Sequence, residues 1–390
     1  MNTRTFAIAL FTALAMTVEV PVHAWEIHFT PLNDPNQGPS GTIGNAVNDL
    51  GVVAGNYTAT NAVLPYGFVS TPPYSNKSFT TVEVAGAPLT NPVGINLEGA
   101  VTGFTYDTSY VVHGVVSHPP YTTVTTLDAP GACSSDSNPA CPGNGTFTLS
   151  INLEGDIAGF YVDVNGVYHG FVSYPPYTRF TAIDVPGSCS SGTACAVLGT
   201  YIHAFGLNDF GDVTGYFFDT SGVAHGFVSS RPYTRFTTFD APGACSSDGN
   251  PACRYEGTAP ASINLFGVIT GTYIDAEGVG HGFVSYPPYS ETTFTSFDPA
   301  GSTYTTPSSI SGEGVVVGYF SDASGVNHGF VSHPPYSTVT TFDAPSACSS
   351  DSNPACAGNG TLAFGINAEG VITGGAFDAS GNAHGFVAHQ

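Results

Sequence analysis

The chain ends on His384-Gly385-Phe386-Val387-Ala388-His389-Gln390, and near its start stands Phe29-Thr30-Pro31-Leu32-Asn33-Asp34-Pro35. The first stretch breaks off a repeat, and the second supplies the piece that it lacks. The full repeat reads roughly I-N-x-x-G-x-V-x-G-Y-x-x-D-x-S-G-x-x-H-G-F-V-S-x-P-P-Y-x-x-F-T-T-F-D-A-P-G. Its Asn position falls at Asn48, Asn96, Asn152, Asn208, Asn264, Ser311 and Asn367. A copy divided between two chain ends implies that both pieces share one sheet, so the repeats are expected to close into a ring. The reading places Glu26 to Leu32 as an outer strand beside His384 to Ala388.

Each repeat carries four strand signals separated by turns. In the fourth, Tyr201 to Leu207 is followed by the turn Asn208-Asp209-Phe210-Gly211, with Asn at its start and Gly where positive φ is needed. Asp212 to Phe218 leads into Asp219-Thr220-Ser221-Gly222, a hairpin turn ending in a left-handed Gly. Ala224 to Ser229 runs to the corner at Pro232-Tyr233, where Pro removes a ladder donor. Arg235 to Asp240 completes the set before Pro242-Gly243. Four antiparallel strands per roughly 50 residues is the period of a propeller blade. A β-helix uses shorter coils, and an open solenoid needs capping repeats. The sequence therefore predicts an all-β, seven-bladed β-propeller as a single domain over residues 25–390.

Small residues agree with convergence of inner strands on an axis: Ala46, Gly94, Ser150, Gly206, Ser262, Ser309 and Gly365. The second strand always has a Gly, such as Gly215. The inferred hairpin register sets it opposite the aromatic of H-G-F, such as Phe227, an aromatic covering a strand glycine.

Two strings, Ile151-Asn152-Leu153-Glu154-Gly155 and Gly166-Val167-Tyr168-His169-Gly170-Phe171, resemble the bacterial extracellular HAF-type repeat family. The likeness extends over nearly the whole chain after residue 24. It implies export and a repeat fold, and it implies no activity. Gly stands in H-G-F where the family name has Ala, and the Cys-bearing loops lie outside the core motif.

Residues 1–24 read as a secretory signal: Arg4, an apolar run from Phe6 to Val18, and Val22-His23-Ala24 as cleavage site. Trp25 is then the first mature residue and the location secreted or periplasmic. No later segment is long and apolar enough to span a membrane. With 29 acidic and 6 basic residues the net charge is −23, which disfavours nucleic acid and anionic lipid as partners. Eight cysteines form four local pairs: Cys133 with Cys141, Cys189 with Cys195, Cys245 with Cys253 and Cys348 with Cys356. Even number, repeated spacing and a signal peptide predict disulfides, whereas zinc favours closer pairs.

Six histidines recur in the H-G-F position: His113, His169, His225, His281, His328 and His384, with Tyr66 in the seventh place. On separate blades they cannot converge on one metal, so they are expected to make structural hydrogen bonds. Six aspartates begin the D-x-S-G turns: Asp107, Asp163, Asp219, Asp275, Asp322 and Asp378. One carboxylate per turn falls short of a calcium loop, so capping of the turn itself is the simpler account. Calcium is the one cofactor left open, on weak support. The P-P-Y tyrosines Tyr74, Tyr121, Tyr177, Tyr233, Tyr289 and Tyr336 either plug their own corners or form an aromatic ring for a ligand. Three features break the repeat: His203 on the fourth inner strand, Arg254-Tyr255-Glu256, and Asn61 to Pro65. None of the catalytic signatures G-x-S-x-G, H-E-x-x-H or a dinucleotide fingerprint occurs, so no catalytic and no metal-binding residue is assigned.

These features together predict a non-enzymatic binding or adhesion module for an extracellular polysaccharide or protein. Two other classes stay open: a glycan-active lyase or hydrolase with its site at the channel mouth, and a structural component of the envelope or matrix. Oligomeric state is not readable from the sequence.

Overall fold

The computed structural model describes residues 27–134, 141–192, 195–246, 253–349 and 356–389. The expected leader, Trp25 and Glu26 lie outside the described residues. The regular elements of the described chain are almost wholly β-strands. Six successive four-stranded antiparallel meanders cover residues 37–82, 89–127, 146–183, 200–239, 258–297 and 304–342. A last one has the strands Gly360–Ile366, Ile372–Phe377 and Ala383–His389. Its fourth strand is His28–Leu32, antiparallel to Ala383–His389, with His28 opposite His389 and Leu32 opposite Gly385. The two stretches of the divided repeat thus pair in one ladder, from His28 onwards.

Neighbouring meanders touch through single parallel bridges, such as Gly41 with Ala383, Phe205 with Ser262 and Asn327 with Gly360. These bridges merge many strands into one mixed sheet of 20. They also fix a glycine. Gly41, Gly145, Gly199, Gly257 and Gly360 all have φ between +80 and +138°, and a Cβ there would overlap the carbonyl of the preceding meander's third strand. Only glycine permits both the backbone shape and the approach.

Every first strand also bulges against its second, as between Thr148 and Ser150. The expected pairing of glycine and aromatic is present: Gly215 faces Phe227 and Gly159 faces Phe171, while Val115 takes the aromatic's place opposite Gly103. The bulge adds a stronger reason for the glycine. A Cβ on Gly215 would overlap the Tyr201 carbonyl oxygen, and one on Gly159 that of Phe147.

The core is a series of slabs between adjacent meanders rather than one centre. Ile183 and Val172 pack on Ile202, Val213 and Phe227. Val317 and Phe342 pack on Ile372 and Phe386, with Phe29 beside them. Leu32 and Val387 pack on Val53 and Phe68, so the N-terminal strand helps to join the last meander to the first. Each fully buried Phe contributes about 2–3 kcal/mol.

Two polar systems run through these slabs. Each first strand carries a threonine in its first half or at its middle, and Thr42, Thr146, Thr200, Thr258, Thr305 and Thr361 are wholly buried. The hydroxyls of Thr146, Thr258 and Thr361 accept the N–H of Ala129, Ala241 and Ala344 at 2.9 Å, and that of Thr42 accepts the N–H of Asp34 at 3.1 Å. Each bond ties the end of one fourth strand to the start of the next meander. The second system is a belt of asparagines. Asn208 Oδ1 accepts from the N–H of Asp212 in its own turn, and its Nδ2 donates to the Asn264 carbonyl at 3.0 Å. Asn48, Asn96, Asn152 and Asn264 do likewise to Asn96, Asn152, Asn208 and Ser311. Asn367 donates to the Asn48 carbonyl at 2.8 Å.

Ser311 interrupts this belt. Its hydroxyl accepts the Val315 N–H at 3.1 Å, and no bond from it to Asn367 is present among the described residues. Ser311→Asn is expected to add that link and about 1 kcal/mol of stability. The measurement is a urea unfolding curve, with a higher midpoint at unchanged slope; a lower midpoint would remove the belt as a stabilising system.

Asp34 occupies the place that Ala129, Ala241 and Ala344 hold elsewhere. It is 2% exposed, and its Oδ2 has no hydrogen-bond partner. Burial raises its pKa, against lowering by hydrogen bonds from Asn36. A carboxyl whose folded pKa is raised destabilises the fold above that pKa, and the penalty vanishes as pH falls towards the unfolded value near 4. Asp34→Ala is therefore expected to stabilise the protein by about 1 kcal/mol at neutral pH, with the gain closing by about pH 4. Parallel melts of the two proteins across this range test it; a gain that grows on acidification has the wrong sign.

Candidate functional site

The turns sort into two opposed groups. In one, disulfide loops sit on D-x-S-G turns. All four expected disulfides are formed. The Cys133–Cys141, Cys189–Cys195, Cys245–Cys253 and Cys348–Cys356 bridges pack over Val111, Val167, Val223 and Val326, which are no more than 2% exposed. The loops also donate backbone hydrogen bonds to the turns beneath: Gly143 to Tyr110, Val197 to Gly166, Tyr255 to Gly222 and Gly358 to Gly325. Closing a loop this short contributes about 2–3 kcal/mol in the chain-entropy account.

On this side each recurrent histidine lies between two carboxylates. His113 places Nδ1 2.8 Å from Asp128 and Nε2 3.6 Å from Asp107. His169, His225, His281 and His328 repeat the arrangement with Asp184 and Asp163, Asp240 and Asp219, Asp298 and Asp275, and Asp343 and Asp322. His384 keeps only Asp378, because Asn33 stands in the second place. Tyr66 instead stacks on Tyr57. The turn aspartates cap their own turns: Asp107 Oδ1 accepts from the N–H groups of Ser109 and Val111. Among the described residues no group of three or more His, Cys, Asp or Glu has the arrangement of a metal site.

Hydrogen bonds to Asp128, Asp184 and Asp240 raise His113, His169 and His225 above the ordinary imidazole range, against the opposing cost of burial. For His281 burial is the largest effect and lowers the pKa, but Asp298 and Asp275 together outweigh it. A raised folded pKa gives stability that is complete below the unfolded value of about 6.5 and is lost as pH rises through the folded one. The urea midpoint is thus expected to fall between pH 6 and pH 9. Replacing His113, His169, His225 and His281 by Asn should remove most of that slope; a variant with the wild-type slope would show that other groups set it.

The opposite side holds the N-x-x-G turns and P-P-Y corners. All six tyrosines have φ between 57 and 64°, and each follows a cis X-Pro bond. The hydroxyls of Tyr74, Tyr121, Tyr177, Tyr233, Tyr289 and Tyr336 donate to the carbonyls of Gly51, Gly99, Gly155, Gly211, Gly267 and Gly314 at 2.7–2.8 Å. Tyr233 and Tyr336 are 5% and 4% exposed, and the others are half-buried. Burial raises all six, Tyr121 and Tyr289 to about 12. Each tyrosine is a post between a corner and its neighbouring turn, with its hydroxyl already engaged.

The features that break the repeat are spread apart. The fourth inner strand, Thr200–Leu207, is two residues longer than Thr258–Ile263. The extra length makes a wide bulge, and Ala204 and Phe205 line an axial cavity of about 150 Å³ with Ala46, Gly94 and Ser150. His203 is on this bulge, 5.6 Å from the Tyr216 ring. Water reaches it, yet protein surrounds it, and burial lowers its pKa. Arg254 lies over the Tyr255 ring beside Gly222, on the disulfide side. Asn61 takes a left-handed turn conformation next to the exposed Val63.

Exposed apolar side chains occur on both sides: Tyr110, Val164, Val197 and Tyr255 stand on the disulfide side, and six more lie on the N-x-x-G turns. Leu50, Leu97, Leu153, Phe210, Leu265 and Phe266 are 40–70% exposed. Phe210 and Phe266, with Arg235, Pro232 and Tyr289, line a cleft of about 930 Å³ between the fourth and fifth meanders. Sequence reasoning missed this cleft. Its signal was present: the third turn residue is Glu98, Glu154, Glu313 and Glu369 in four repeats, but Phe in two consecutive ones.

No protein-family model matches the chain, and no curated protein does. Among solved structures, TolB from Acinetobacter baumannii is 8% identical over 84% of this chain and 76% of its own, with a TM-score of 0.44. A chain of the nidogen/laminin complex is 11% identical over 75% and 93%, with a TM-score of 0.39. Aleuria aurantia lectin, solved in complex with Fucalpha1-6GlcNAc, is 10% identical over 76% and 93%, with a TM-score of 0.37. At these identities and TM-scores the likeness carries no activity or ligand over to this chain.

Proposed function

We propose that the chain is an exported seven-bladed propeller, closed by its N-terminal strand, that serves as a binding or adhesion module for an extracellular glycan or protein. The strand pair of His28–Leu32 with Ala383–His389 and the Asn367 to Asn48 bond support closure. Four disulfides, and no helix long and apolar enough to cross a membrane among the described residues, are consistent with an extracellular or periplasmic setting.

One observation carries the binding reading. The N-x-x-G side exposes Leu97, Leu153 and Leu265 around the channel mouth and Phe210 and Phe266 at the cleft beside it, whereas five of the six recurrent histidines opposite are held between two aspartates. Exposed aromatic and leucine side chains in one region mark interaction surfaces. An enzyme site would instead need titratable groups converging on a substrate.

The test is retention of the disulfide-bonded protein on arrays of polymeric glycans and of extracellular matrix proteins, with product analysis of every bound polymer. Retention without shortened product is the expected result. Release of oligosaccharides would put a lyase or hydrolase in place of the binding module, and self-association with no retention would favour the structural class.

A further inference from the structure

We propose that the cleft between the fourth and fifth meanders is a subsite for a neutral glycan carrying sparse carboxylated sugars, with Arg235 taking the carboxylate and Phe210 and Phe266 stacking on ring faces. This rests on the binding-module reading and names its ligand class.

The cleft joins two departures from the repeat to a basic side chain. Phe210 and Phe266, 69% and 70% exposed, are the third residues of consecutive N-x-x-G turns, and both line the cleft. Phenylalanine offers no polar group to water, so two such side chains at one opening are costly without a partner. The flat C–H face of a pyranose ring covers an aromatic surface without needing charge.

Arg235, matched in the third repeat by Arg179, stands on the wall of this same cleft. The chain has only 6 basic residues. Arg231, which also lines the cleft, is engaged, with its guanidinium on Asp156, 3.7 Å from Glu154 and stacked 5.1 Å from the Tyr174 ring centroid. Arg235 is exposed, lines the cleft and has no ion pair among the described residues. Asp212 on the same wall is already bound by Ser230 and by Asn208 Nδ2. The free guanidinium therefore presents its planar fork to the cleft, a geometry matched to a carboxylate.

Net charge narrows the ligand. A chain at −23 repels a dense polyanion at long range. With Arg231 engaged on Asp156 and Asp212 held by Ser230 and Asn208, Arg235 is the cation of this wall without an ion pair among the described residues, which suits an isolated carboxylate on an otherwise neutral polymer. The hydroxyls of Thr234 and Thr237 on the same wall add donors and acceptors for sugar hydroxyls.

The probes are glucuronoxylan, unsubstituted xylan and polygalacturonate, offered to the intact disulfide-bonded protein in affinity electrophoresis at low salt. Wild type is expected to be retarded most by glucuronoxylan, less by xylan and least by polygalacturonate. Arg235→Gln should bind glucuronoxylan about tenfold more weakly and lose its preference over xylan, and Arg235→Lys should restore part of it. Phe210→Ala and Phe266→Ala should weaken both xylans with the melting temperature unchanged. Equal retardation of wild type by the two xylans overturns the proposal, as does an Arg235→Gln variant that keeps the preference. Binding to other glycans or to proteins, unaffected by these substitutions, would leave the module reading in place and remove the cleft. Binding to nothing on any array would remove both.

Discussion

The asparagine at each inner turn does two jobs with one side chain. Its oxygen closes its own turn, and its amide nitrogen holds the carbonyl of the next turn. An aspartate would lose the donor, a serine the reach and a glycine both. All five of Asn48, Asn96, Asn152, Asn208 and Asn264 are no more than 5% exposed, so each bond is made where water cannot substitute for it. This fixes the spacing of the inner strands, and the slabs, the threonine ties and the glycine bridges are all set by that spacing. A meander alone would present two apolar faces to water; the belt is what brings a second meander to each face.

The two sides of the molecule are built by different chemistry from the same repeat. On one, disulfide bridges close over valines and aspartates bracket histidines. On the other, tyrosine posts hold the corners while the tips between them vary. Variation is cheap there because a turn tip has few packing partners. Phe210 and Phe266 stand where other repeats have glutamate, while their backbone N–H groups still bond the belt asparagines Asn208 and Asn264. A repeat scaffold can acquire one distinct site in this way with its framework unchanged.

Much of this architecture was legible in sequence because it follows period and turn chemistry. The divided repeat gave the pairing of His28–Leu32 with the last strand, the Gly–Phe register followed from hairpin geometry, and the Cys spacing indicated local bridges. The histidines were read as structural, but their partners were not named. Asp128 and its equivalents mostly stand 15 residues after each histidine, and only folding shows that this span returns the chain to the same place. The inner Asn was read as a turn former, since its forward bond joins residues about 50 apart and no local rule encodes that contact. The glycine of the second strand was attributed to an aromatic cover, whereas the bulge carbonyl is the tighter constraint. The cleft was hidden for another reason: the repeats were read for what they share, and its residues are where they differ.

The paired ends have a mechanical meaning. His28 faces His389, so the first and last strands begin and finish at the same edge of their shared ladder. A load drawn between the two ends of the chain peels that ladder one bond at a time, starting at its open edge, and shears nothing. A load applied through one end and a bound surface passes across the slabs and does not reach this seam in the same way. Tension between His28 and His389 would therefore open the ladder from one edge rather than shear it.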